Sequence, residues 1–78
     1  MDGAKYRHLL GKARDAKQGG VDSWSVQSTG EKVAVALVLN RADWLASSGY
    51  TLAEAIARTG SEGLVMVPAV ERALRDED

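Results

Sequence analysis

Apolar positions in the first part of the chain recur with the spacing of one face of a helix. Tyr6, Leu9, Leu10 and Ala13 follow the i, i+3, i+4, i+7 pattern. Asp2 is of a type that often caps a helix N-terminus, and the glycine pair at 19–20 ends the pattern. The pattern therefore predicts a helix over residues 2–17.

The next long apolar stretch begins with a helix-start signal. Ser28 and Glu31 stand at the spacing of a capping box, in which each side chain accepts a hydrogen bond from the other residue's backbone N–H. An uninterrupted apolar run over 33–39 follows. A helix over 29–47 would be apolar almost all round in its first half, which is typical of a buried, central helix.

A hairpin competes with this prediction. Residues 21–27 alternate apolar and polar side chains, and residues 32–39 are rich in valine, so a hairpin at 22–39 would also account for the pattern. The capping box and the alanines favour the helix. A strand of unbroken apolar residues would also need cover on both faces, which a short chain can hardly supply.

The C-terminal third predicts two shorter helices. Thr51 and Glu54 form a second capping box, Gly60 ends the helix that they start, and Ser61 caps the next one. Pro68 is expected to kink that last helix or to split it into 61–66 and 68–75. We therefore expect a mostly α fold in a single domain, 1–78, with a frayed acidic tail at 76–78. The bundle has about four helices, at 2–17, 29–47, 51–59 and 61–75; the alternative is an α+β fold with the hairpin at 22–39.

The residue types present offer no catalytic or metal-binding constellation. The chain has 78 residues, no cysteine and one histidine, His8, which stands among basic residues without a nucleophile in the pattern around it. The carboxylates show no metal-ligand spacing. We predict a protein that is not an enzyme and that binds no cofactor and no metal.

The hydropathy pattern also bears on localisation. The N-terminus has no apolar segment of a secretory signal. The apolar run at 33–39 is far shorter than the roughly 20 residues that span a bilayer. We expect a cytoplasmic protein that does not engage membranes.

Charge and exposed apolar residues indicate binding to a macromolecule. The first helix is basic, whereas the rest of the chain is acidic, so this helix is a candidate docking face for an acidic protein or for nucleic acid. The four consecutive apolar residues at 64–67 cannot all face one core, so some are exposed or covered by a second copy. Trp44 and Arg41 are of the types enriched in binding hot spots. The predicted partner-binding residues are Lys5, Arg7, Lys12, Arg14, Arg41, Trp44, Leu64 and Met66.

The stretch Tyr50–Gly60, Tyr-Thr-Leu-Ala-Glu-Ala-Ile-Ala-Arg-Thr-Gly, resembles the first helix and turn of a helix-turn-helix unit, which would extend over 50–75. The resemblance implies a DNA-binding regulator. The sequence departs from that family where the recognition helix should begin, because Ser-Glu-Gly-Leu-Val-Met-Val at 61–67 lacks side chains that read base edges. Nucleic acid is therefore an alternative partner that we do not favour.

Three further stretches carry a second resemblance: Thr-Gly-Glu-Lys at 29–32, Leu-Asn-Arg-Ala-Asp-Trp-Leu at 39–45 and Gly-Tyr-Thr-Leu-Ala-Glu-Ala-Ile at 49–56. Together they resemble short hypothetical proteins of bacterial chromosomes and mobile elements. The resemblance implies a bacterial protein and assigns no role to a residue. We expect a non-catalytic interaction protein whose partner is another protein; a second copy of the chain, forming a homodimer, is an alternative partner.

Overall fold

Four helices succeed one another in the computed structural model, which describes residues 2–77 and contains no strand among them. They are α1 (Gly3–Ser25), α2 (Thr29–Val38), α3 (Ala42–Ser47) and α4 (Leu52–Asp76). The predicted mostly α bundle is confirmed. The alternative hairpin at 22–39 is wrong, because residues 21–25 extend α1 as a helical turn after a backbone break at Gly20, where φ is 70°.

Three of the predicted helix starts are present with their capping side chains, whereas the cap predicted at Ser61 stays a prediction. Asp2 caps α1 by accepting hydrogen bonds from the backbone N–H groups of Ala4 and Lys5. Complete capping boxes begin α2, at Ser28 with Glu31, and α4, at Thr51 with Glu54. These side chains accept hydrogen bonds from N–H groups that have no partner within the helix, and they thereby fix where each helix begins.

The predicted helix over 29–47 is divided into α2 and α3. Asn40 adopts a left-handed backbone conformation, with φ of 56°. Its N–H donates to the carbonyl of Leu37 at 3.2 Å, and the N–H of Arg41 donates to the carbonyl of Ala36 at 2.9 Å. This pair of hydrogen bonds is a Schellman motif, which ends α2 and turns the chain before α3.

A sharp kink divides α4 into two segments. Gly60 has φ of 76° and ψ of 166°, whereas the residues on either side are helical. We call residues 52–59 the first segment and residues 61–76 the second segment; this boundary is the one that the sequence predicts. The helix continues through Pro68, so the expected split into 61–66 and 68–75 is wrong, whereas the alternative of a kink at that residue stays a prediction.

The core surrounds α2, as the all-round apolar pattern predicts. Five of the ten residues of α2 are buried, and the helix packs against both α1 and α4. The neighbouring helices contribute apolar side chains from one face each. The buried residues of these three helices are Leu9, Ala13, Ala16 and Trp24 of α1, Val33, Ala34, Val35, Ala36 and Val38 of α2, and Ala55, Met66, Val70 and Leu74 of α4.

Two ion pairs define how α1 lies beside the second segment of α4. Lys5 pairs with Glu62, and Arg14 pairs with Glu77, so the two helices run in the same direction. The frayed tail predicted at 76–78 stays a prediction. Asp76 ends α4, Glu77 is held by Arg14, and residue 78 lies outside the described residues.

The surface area of the folded chain is that of a compact monomer. The solvent-accessible surface is 4563 Å². A monomeric protein of 8.3 kDa is expected to expose about 4,600 Å². The single chain therefore exposes about as much surface as folded proteins of its mass do.

Candidate functional site

The basic face predicted on α1 is largely neutralised by α4. Lys5 Nζ donates to Glu62 Oε1 at 2.9 Å, and Arg14 donates to both carboxylate oxygens of Glu77. The hydrogen bond to Glu62 raises the pKa of the Lys5 ammonium, and that to Glu77 raises the pKa of the Arg14 guanidinium. These two cations bridge α1 and the second segment of α4 at the surface, where such pairs add little to stability.

Two cations of the predicted face remain outside this network. The side chains of Arg7 and Lys12 have no hydrogen-bonded or ion-paired partner among residues 2–77. Arg7 is exposed, whereas Lys12 is half-buried and close enough to Glu31 to lower the pKa of that carboxyl group. The basic face is therefore much smaller than the sequence pattern suggests.

Trp44 and Arg41 form part of an aromatic cluster at the edge of the core. The Trp44 indole is 5% exposed and lies 5.2 Å from the ring of Trp24, centroid to centroid. The guanidinium of Arg41 covers the outer side of Trp44 at 4.4 Å and donates to both carboxylate oxygens of Asp43. These hydrogen bonds lower the pKa of Asp43. The structure thus places Trp44 in the core, and leaves Arg41 as the exposed member of the pair.

The apolar stretch at 64–67 is divided between core and surface. Met66 is 7% exposed and packs in the core, Leu64 and Val67 are half-buried, and Val65 is 64% exposed. The expectation that the four residues could not all face one core is met by Val65, whose side chain lies in solvent. Leu64 and Met66 offer little surface to a partner.

An exposed apolar face that the sequence does not single out lies on the first segment of α4. Leu52 and Ile56, one helical turn apart, are 54% and 45% exposed, whereas Ala55 between them is fully buried. The apolar stripe of this segment is visible in the sequence. What the stripe does not show is that the core ends at Ala55 and leaves the two larger side chains outside.

A groove lies between the N-terminal parts of α1 and α2 and the kink of α4. It is open to solvent and has a volume of about 420 Å³, and Leu9, Ala34 and Met66 are the buried residues that line it. Gly30 and Gly63 also line it, so part of its wall is bare backbone. The accessible surface of the lining is almost entirely apolar, although Lys5, His8, Glu31, Arg58 and Thr59 also line the groove. These polar residues are exposed or half-buried, so we call them the rim of the groove.

The rim carries three basic side chains and one carboxylate. His8 Nε2 lies 2.6 Å from Glu31 Oε2, while Glu31 Oε1 accepts from the backbone N–H of Ser28 in the capping box. The Ser28 N–H, and after it His8, lower the pKa of Glu31 against the effect of partial burial. Arg58 lies over the ring of Tyr50 at 5.5 Å. Both oxygens of the rim carboxylate are thus already engaged within the protein.

A second depression, of about 520 Å³, lies on the other side of Glu31. It is polar, and Gln27 spans it by donating from Nε2 to the carbonyl of Lys12 at 3.0 Å. Among residues 2–77, no three His, Cys, Asp or Glu side chains are grouped so that they could hold a metal ion. The hydrogen bonds of His8, Glu31 and Gln27 join α1 to the start of α2.

The segment resembling a helix-turn-helix unit has the predicted break at Gly60. The second segment of α4 turns Met66, Val70 and Leu74 into the core. Its exposed side chains include Glu62 and Val65. The exposed arginines of this segment, Arg72 and Arg75, lie near its C-terminal end, so its start, where a recognition helix would contact DNA, offers few donors to phosphates or base edges.

No helix among residues 2–77 has the length and apolar character needed to span a bilayer. Comparisons with protein-family models, with curated proteins and with solved structures find no match to this chain.

Proposed function

We propose that this chain is a small, non-catalytic bacterial protein that acts by binding another protein. The observation that carries the proposal is the exposed apolar face of the first segment of α4, formed by Leu52 and Ile56. The bacterial assignment rests on the resemblance of three stretches of the sequence to short bacterial proteins.

The geometry of this face suits recognition of an apolar groove or helix on a partner. Two large aliphatic side chains spaced i, i+4 are the usual anchors of a helix that docks in a groove. Burial of Leu52 and Ile56 by a partner would remove apolar surface that the fold itself leaves in water.

A partner of different sequence is favoured over a second copy. The chain already buries as much surface as a monomer of its mass. A homodimer through Leu52 and Ile56 would make the same residues contact each other across a twofold axis. The test below distinguishes such a homodimer from a complex with a different protein.

The experiment places glutamate at both exposed positions, Leu52→Glu with Ile56→Glu. The matched control is Val26→Glu, because Val26 is an exposed apolar residue, at 83%, away from α4. Each tagged protein is used to capture partners from a bacterial lysate, and a photo-crosslinking amino acid at position 56 or 26 identifies what contacts each position. We expect one protein to crosslink at position 56 only, and to be lost from the double variant but retained by Val26→Glu.

Two results would contradict the proposal. Equal capture by the double variant and the wild type would show that the face of Leu52 and Ile56 is not the binding surface. Binding to duplex DNA at low salt that weakens as the salt concentration rises would favour a nucleic-acid partner, as in the helix-turn-helix alternative, instead. Light scattering of the wild type and the double variant shows whether the crosslinked partner is a second copy.

A further inference from the structure

We propose that the groove between α1, α2 and the kink of α4 binds a small amphiphile, an apolar chain that carries a single anionic group. The inference is independent of the protein-binding face, because Leu52 and Ile56 do not line the groove.

The size and lining of the groove are those of a ligand site. Its volume of about 420 Å³ falls in the lower part of the range of roughly 300–1,000 Å³ found for small-molecule sites. The buried side chains of Leu9, Ala34 and Met66 form its base. Polar groups would not be satisfied there, so the part of a ligand that enters the groove has to be apolar.

The charged residues at the rim favour an anionic head group on the part of the ligand that stays outside the groove. Lys5, His8 and Arg58 line the groove together with a single carboxylate, that of Glu31. Glu31 has both oxygens engaged by Ser28 and His8, and Lys5 shares its charge with Glu62. Arg58 has only the ring of Tyr50 beside it and no carboxylate partner among residues 2–77, so it can pair with an incoming anion.

The backbone around Gly30 provides a way to fill the groove without disturbing the core. A Cβ atom added at Gly30 would meet no heavy atom within 4 Å, and this residue does not have a positive φ. A leucine at this position can therefore occupy groove volume at little cost to the fold. It serves as the blocking variant.

The test uses three probes with the same ten-carbon chain: decanoate, decan-1-ol and decyltrimethylammonium. The two ionic probes are kept below their micelle concentrations, and decan-1-ol is kept below its solubility limit. Binding to the intact protein is measured by calorimetry and located by backbone amide chemical shifts. We expect decanoate to bind most tightly, with the largest shifts at Leu9, Ala34 and Met66.

The variants test separately how much the head group and the alkyl chain of the probe contribute to binding. Arg58→Gln should weaken decanoate binding about two- to fivefold, the range expected for one partly exposed ion pair, and leave decan-1-ol unchanged. Arg72→Gln, at an exposed arginine of α4 that does not line the groove, should change neither. Gly30→Leu should weaken the binding of both probes at least tenfold.

The proposal is overturned if none of the probes binds, or if decan-1-ol or the cationic probe binds as tightly as decanoate. It is also overturned if Gly30→Leu, shown to be folded, binds decanoate as the wild type does. If Gly30→Leu does not fold, the chemical-shift changes of the wild-type protein with decanoate test the site. Changes centred on Leu52 and Ile56 would place the ligand outside the groove and overturn the proposal.

Discussion

Substitution of glycine by alanine at Gly60 and at Gly11 tests the kink of α4, because the same change is made at a kink and inside a regular helix. At Gly60, φ of 76° and ψ of 166° lie in a region that is essentially restricted to glycine. An added Cβ atom would contact nothing within 4 Å, so Gly60→Ala costs backbone strain alone, about 1–3 kcal/mol. We expect the free energy of unfolding to fall by that amount.

Gly11 is the matched control. It lies inside the regular part of α1, and a Cβ atom there also meets nothing within 4 Å. Gly11→Ala reduces the conformational freedom of the unfolded chain and should stabilise the protein by about 0.4–1 kcal/mol. The two alanine variants are therefore expected to shift stability in opposite directions and to differ by roughly 1.5–4 kcal/mol.

The measurement is urea unfolding followed by far-ultraviolet circular dichroism, which reports on all four helices. A chain of this length is expected to be stable by about 4–12 kcal/mol, so the difference between the variants is a large part of the total. A Gly60→Ala variant as stable as the wild type would refute the reasoning, because it would mean that α4 continues through residue 60 as a regular helix.

Three further changes test the core, a cap and a pH dependence. Leu45→Ala removes a side chain that is 1% exposed and should lower the free energy of unfolding by about 2–5 kcal/mol. Leu52→Ala, at a residue that is 54% exposed, should lower it by less than about 0.5 kcal/mol. Equal losses in the two variants, measured by urea unfolding, would contradict the assignment of Leu45 to the core. Ser28→Ala removes the N-cap of α2 and should lower the free energy of unfolding by about 0.5–2 kcal/mol. An unchanged free energy of unfolding would mean that α2 does not begin at this residue. Glu31→Gln keeps a hydrogen-bond acceptor but loses the charge. Because the folded protein lowers the pKa of Glu31, its carboxylate contributes stability above the ordinary value of 4.5, and this contribution is lost as the pH falls through the lowered value. The wild type should therefore be more stable than Glu31→Gln at pH 7 and approach it in acid; a difference independent of pH would contradict this account.

The helix starts could be predicted because their signals are local. Ser28 with Glu31, and Thr51 with Glu54, carry the whole capping geometry within four residues, and both boxes form as the sequence indicates. The same holds for the break at Gly60. Local signals of this kind do not depend on what the rest of the chain does.

The division between α2 and α3 has a weaker signal. Asn40 takes the left-handed conformation that glycine usually supplies at a helix end, and asparagine is the non-glycine residue that most readily does so. In the sequence, Asn40 sits within an apolar helical pattern that continues to Trp44 and Leu45, so periodicity alone favours one long helix. Packing of Trp44 on Trp24 requires the turn that periodicity misses.

The candidate surface was the hardest part to predict. The spacing of Lys5 and Arg14 places them on α1, but their partners Glu62 and Glu77 lie 57 and 63 residues further along the chain. Likewise, the apolar stripe of 52–59 does not reveal which of its members the core can reach. Exposure depends on where the other helices end, and a pattern within one helix does not contain that information.

The contact between the two tryptophans has a consequence for anyone who follows the unfolding of this protein by its intrinsic fluorescence. Both indoles are buried and lie 5.2 Å apart where α1, α2 and α3 meet. The emission therefore reports on one corner of the molecule, and detachment of residues 52–59 could pass without a signal. Hydrogen exchange of the amides in that segment would show whether it opens at a lower free energy than the rest of the fold. If it does, the segment that we propose to bind a partner is held more loosely than the rest of the fold in the free protein.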